Sequence, residues 1–156
     1  MLYDLTLRIT WEMMITAEGN EKKALSGHLG THFDVMDKEF PLEYTRRHGV
    51  CFDVRGLRKV DVCDVDLNQV EEGVFVAFYS GFLEEAGYGS QRYFKEHPEL
   101  SHALIEALLE KGVSIIGIDF AGIRSRKRTF LQLEQKQPFF LNRQHPIGKI
   151  HCASSS

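Results

Sequence analysis

The sequence predicts an α/β fold, a mixed sheet with flanking helices, and three observations carry that expectation. Gly73 is followed by Val74, Phe75, Val76, Ala77, Phe78 and Tyr79, and residues 113–120 are a second run rich in β-branched residues. Runs with so little polar interruption suit strands buried on both faces. Between them Leu104, Ile105, Leu108 and Leu109 recur at helical spacing. Strand, helix and strand in that order form a crossover unit with parallel strands.

The elements follow in chain order. Residues 2–10 alternate Leu2, Asp4, Thr6 and Arg8 with Tyr3, Leu5, Leu7 and Ile9, a strand suited to an antiparallel part of the sheet. Residues 18–23 are polar and contain glycine, as loops do. Residues 50–54 form a short strand closed by Gly56, and residues 60–67 alternate valines with aspartates, a strand or the approach to one. The helix spans residues 101–111: Pro98 and Ser101 mark its start and Gly112 its stop. The tail from Ala153 to Ser156 reads as disordered.

Composition excludes several classes of function. With 43% hydrophobic and 26% charged residues in 156, the chain is globular and of single-domain size. A net charge of −3 leaves no footprint for nucleic acid or an anionic membrane. The apolar runs fall far short of the ~20 residues that span a bilayer, and the N-terminal residues lack the apolar block of a signal peptide. Cys51, Cys63 and Cys152 are odd in number and contain no CxxC, so a reducing cytoplasm is expected and not a disulfide framework, and the apolar surroundings of Cys51 and Cys63 suit inert buried thiols. Other features point to structure. His97 and His102 flank the helix start as capping or surface residues. Asp61, Asp64 and Asp66 lack the glycine and glutamate of a calcium loop, and Gly87-x-Gly89 lacks the rest of a phosphate loop.

One segment concentrates chemistry. In Ser26-Gly27-His28-Leu29-Gly30-Thr31-His32-Phe33-Asp34, His28, His32 and Asp34 are all even-numbered, so an extended chain would turn them to one face. A straight strand would hold the two imidazoles about 13 Å apart, from ~3.3 Å per residue, so sharing an ion requires a bend. Gly30 sits where a bend is cheapest. Two imidazoles and a carboxylate suit Zn²⁺ or Mn²⁺ and leave room for a water. Such spacing also occurs in loops that bind no metal, so spacing alone leaves both readings open.

The run His28-x-Gly30-Thr31-His32-x-Asp34 resembles the signature of the Putative cyclase family of metal-dependent hydrolases, which includes bacterial-type kynurenine formamidase and isatin hydrolase. Tyr3-Asp4-Leu5-Thr6, Phe78-Tyr79-Ser80-Gly81-Phe82 and Gly117-Ile118-Asp119 resemble its opening, central and late strands, so the likeness covers about residues 2–123. The resemblance implies a swivelling β/β/α domain, a homo-oligomer, and Zn²⁺ or Mn²⁺ held by His28, His32 and Asp34. It implies hydrolysis of a C–N bond in a small-molecule amide, formamide or cyclic amide, with no nucleic-acid or membrane partner. Phe33, Tyr79 and Phe82 are candidates for an apolar substrate pocket, although aromatics are more often plain core.

Two departures qualify the resemblance. The family motif commonly continues x-Pro-x-His, its histidine acting as general acid/base; here Met36 and Lys38 stand at those positions, making Lys38 the candidate proton shuttle or else a solvated lysine. The family also places a later histidine and a glutamate at the metal site, and His145, His151 and Glu134 do not match their contexts. Residues 124–156 are therefore set apart from the cyclase-like domain, 1–123, as an atypical segment. Codons permitted for residues 125–130, read one nucleotide downstream, can encode Arg-Gly-Lys-Glu-His, which is consistent with a frameshift or truncation there. The alternative to an enzyme is a binding or structural relative that has lost part of the metal site.

Overall fold

The computed structural model describes residue 11 and residues 30–34, 39–88, 90–123, 139–142 and 153–154. The expected strand over 2–10 and loop over 18–23 lie outside the described residues. Strands are β1 (His32–Asp34), β2 (Gly49–Asp53), β3 (Lys59–Val60), β4 (Phe75–Tyr79), β5 (Glu99–Leu100), β6 (Ile115–Ile118), β7 (Phe139–Asn142) and β8 (Ala153–Ser154). Helices are α1 (Phe82–Ala86), α2 (Gln91–Lys95) and α3 (His102–Glu110). The main sheet has the order β1-β7-β6-β4-β2-β8; β1 is antiparallel to β7 and the other neighbours run parallel. β3 and β5 form a separate parallel pair. The fold is thus mixed α/β, with a mostly parallel sheet and few helices.

The crossover unit is present as expected. β4 lies beside β6 with Phe75 opposite Ile115 and Phe78 opposite Ile118, and α3 connects them. Val76, Phe78 and Ile116 are fully buried on one face, in one core with Leu104, Ile105 and Leu108 of α3. Each such side chain contributes roughly 1.5–3 kcal/mol by leaving water. The helix begins where Ser101 Oγ accepts the Leu104 amide (3.0 Å) and stops before Gly112, whose φ of 71° suits a residue without a Cβ. The opposite face carries a smaller cluster, in which Phe33, Phe40, Tyr44 and Phe75 pack against Ile115.

Three expectations need correction. The strand over 60–67 reduces to Lys59–Val60, followed by 3-10 turns at Val62–Asp64 and Leu67–Gln69. Asp61 accepts the Val62 amide and Asp64 the Asp61 amide, and Asp66 accepts that of Asn68. These short local bonds offer the backbone an alternative to a ladder. Ala153 and Ser154, expected to be disordered, pair with Phe52 and Asp53. Cys51 is buried but disulfide-bonded, and Cys63 is an exposed free thiol, because its segment is a surface turn and not a strand. Among the described residues, no helix is long and apolar enough to cross a membrane.

Candidate metal centre

The chain bends at Gly30, which has a φ of 79°, and then extends into β1. His32 and Asp34, two residues apart on an extended strand, turn to the same face, and His32 Nε2 lies 3.5 Å from Asp34 Oδ1. On the other side of the ring His32 Nδ1 donates to the Gly30 carbonyl at 2.9 Å. That bond places a proton on Nδ1, so Nε2 carries the lone pair when the ring is neutral and donates to Asp34 when the ring is protonated. Burial pulls the imidazole pKa down; the hydrogen bond to Asp34, the Gly30 carbonyl and the Asp34 charge outweigh it, and the net position is above the ordinary histidine value.

The donor set suits a divalent ion. Two donors each ~2.1 Å from a shared ion can lie up to about 4 Å apart, and the observed 3.5 Å falls inside that span. The His32 side chain is 13% exposed and that of Asp34 35%, which places the pair between the interior and solvent. The same geometry also serves as a histidine–aspartate ion pair when the ring is protonated. Among the described residues no group of three or more His, Cys, Asp or Glu gathers around one point. His28 and Lys38 lie outside the described residues.

Strand register locates the pair within the fold. His32 is opposite Asn142, Asn142 opposite Ile118, and Ile118 opposite Phe78. His32 therefore lies at the carboxyl edge of the parallel strands, the edge outside which open α/β sheets generally bind ligands. The aromatic candidates are not gathered there. Phe33 points to the opposite face and stacks on Phe40 at 4.1 Å. Tyr79 is on that opposite face too, three strand spacings from β1, or roughly 14 Å at ~4.8 Å each. Its ring lies beneath the Arg55 guanidinium, 5.4 Å from the centroid, and Arg55 is bound to Asp53. Phe82 is in the core, stacked on Tyr93.

The structure adds a polar assembly at the same carboxyl edge. Asp119 is 1% exposed; its Oδ1 accepts the Ser80 amide (3.0 Å) and hydroxyl (2.6 Å), and its Oδ2 accepts the Gly81 amide (2.8 Å). Ser80 Oγ in turn accepts the Phe82 amide. Burial pushes the Asp119 carboxyl above the ordinary range against the opposing effect of these donors. The signal in the sequence was the single charge ending a β-rich apolar run. The other polar candidates have structural partners: His102 pairs with Glu106 at 3.1 Å, and His97 stacks on Phe120.

The profile of the family described as "Putative cyclase" matches residues 3–124. The chain belongs to that family. Two solved structures share its fold. One is described as a "potential metal-dependent hydrolase with cyclase activity", with a TM-score of 0.54 and 18% identity, the match covering 74% of this chain and 60% of the other. The second is a "predicted metal-dependent hydrolase" from Bacillus stearothermophilus, with a TM-score of 0.55, 18% identity and the same two coverages. The chain thus spans about 60% of the length of these relatives. A comparison with curated proteins gives no match.

Proposed function

We propose that this cyclase-family chain is a metal-dependent hydrolase that cleaves the C–N bond of a small amide, formamide or cyclic amide. The observation that supports it most is the His32–Asp34 pair, with its tautomer set by the Gly30 carbonyl and its two donors 3.5 Å apart. His28, His32 and Asp34 would hold Zn²⁺ or Mn²⁺. When bound, such an ion polarises a carbonyl oxygen and lowers the pKa of water toward ~7. The chain's own residues do the rest. His32 presents a neutral nitrogen held in one orientation, and Asp34 supplies negative charge that offsets a cation. Lys38 is the candidate for moving a proton to the leaving nitrogen. The swivelling arrangement, a homo-oligomer and a cytoplasmic location belong to the same reading. Phe33, Tyr79 and Phe82 do not form one pocket, so the substrate's aromaticity has no support from them.

A second reading is favoured by one observation: the family match ends at residue 124, and the later family ligands have no matching positions. On that reading the chain is a non-catalytic relative with an incomplete metal site. Elemental analysis of the purified protein separates the two. The hydrolase reading expects near-stoichiometric zinc or manganese, lost in His32→Ala, and chelator-sensitive hydrolysis of formanilide-type amides. Absence of metal after incubation with both ions would overturn it.

A further inference from the structure

Among the described residues, the strand that carries the candidate metal pair joins the sheet through its ladder with β7. β7 in turn pairs with β6, while the family match ends before β7 begins. The three ladder positions are His32 with Asn142, Phe33 with Leu141, and Asp34 with Phe140. Side chains alternate with a period of two, so a slip of one residue in this ladder would exchange the faces. His32 and Asp34 would then turn toward the Phe33–Phe40–Phe75 cluster, and Phe33 would take their place. Packing of Phe33 on that cluster anchors one side chain. It does not by itself set the direction of the strand, which comes from the backbone bonds.

We propose that β7 is the positioning element of the candidate metal centre: its register with β1 decides which face His32 and Asp34 present. The atypical segment beyond residue 123 therefore takes part in the site, although it contributes none of the three proposed ligands. The functional meaning rests on the hydrolase reading, whereas the positioning itself does not.

The test uses the full-length protein and Leu141→Pro. Residue 141 is the middle of β7, opposite Phe33 on one side and Gly117 on the other. Proline removes its backbone N–H, which interior strands do not accommodate. Ala153→Pro is the control, since among the described residues Ala153 pairs with Phe52, toward the far margin of the sheet from β1. Hydrogen exchange is followed in metal-free protein at β1, β4 and β6, and zinc and manganese contents are measured in parallel. Expected in Leu141→Pro is a loss of protection at the β1 ladder amides of about tenfold or more, with β4 protected as before. Bound metal falls with it, and Ala153→Pro changes neither. Wild-type protection at β1 in a folded Leu141→Pro overturns the proposal, as does an unprotected β1 in the wild type. If Leu141→Pro unfolds throughout, Leu141→Gly replaces it, and an equal loss at β1 and β4 then counts against the proposal. A wild type without metal defeats the hydrolase reading, while exchange at β1 still decides this one.

Discussion

The centre of the sheet and its β1 margin are held by different physics. At the centre, β4 lies between β2 and β6, with an apolar core against α3 on one face and Phe75 across Gly117 on the other. The buried Asp119 carboxyl there is met by donors from Ser80 and Gly81. At the margin, a three-residue strand carries two polar groups of catalytic type and depends on a strand far away in the chain. The centre is over-determined, because many contacts specify one arrangement. At the margin, among the described residues, the link to the sheet is the ladder with β7, and on the proposal above a change in that one register alters the chemistry of the pair.

The largest expected break is at the centre. Asp119→Ala leaves two buried donors on Ser80 and a half-buried one on Gly81 without their acceptor, at about 1–3 kcal/mol for each buried donor where no water replaces it. A loss of about 3 kcal/mol or more in denaturant unfolding is expected, and a loss under ~1 kcal/mol would show that the turn at Ser80–Gly81 stands without it. The sign of the pH effect follows from the raised carboxyl. Its folded form binds a proton more readily than the unfolded chain. Stability from this group is thus greatest at low pH and falls as pH rises from the ordinary carboxylate range through the folded pKa. Asp119→Asn removes that component of the slope. Next in size is Gly117→Ala. A Cβ there would stand 2.5 Å from Phe75 Cζ, so the ring must move, costing about 1–3 kcal/mol as overpacking does. Phe75→Leu in the same background should return part of that loss.

What could be read in the sequence follows the same division. The buried strands and α3 were legible because apolar run, helical period, Ser101 cap and Gly112 stop all agree on one answer. The bend at Gly30 was legible because a glycine, without a Cβ, takes a positive φ at little cost. Residues 60–67 misled because alternating valines look like a strand, while Asp61, Asp64 and Asp66 satisfy the backbone locally. The helices at Phe82–Ala86 and Gln91–Lys95 are a turn or so each, too short to show a period. β7 and β8 could not be read, since β7 joins β1 to β6 and β8 pairs with β2, so their placement depends on partners in other parts of the chain and not on any pattern of their own. The same holds for the aromatic candidates: residue type suggested a pocket, but strand parity sends Phe33 and Tyr79 to the face opposite His32.

The smallest predicted effect sharpens the comparison most. Ser101 Oγ accepts the Leu104 amide and donates to Asp61 Oδ1 at 2.8 Å, tying the start of α3 to the turn after β3. Ser101→Ala removes a helix cap, worth about 1 kcal/mol. The Val62 amide and then the Ser101 hydroxyl hold the Asp61 carboxyl below its ordinary pKa. Stability from Asp61 is therefore present above the ordinary carboxylate range and lost as pH falls through its folded value, the reverse of Asp119. In Ser101→Ala that acid-side loss should shrink along with overall stability, as followed by thermal unfolding between mildly acidic and neutral pH. Metal content should not change, because α3 packs on the centre and β1 hangs from β7. If metal uptake fell in step with stability in this variant, the margin would share the cooperativity of the centre, and the two regions would be one unit.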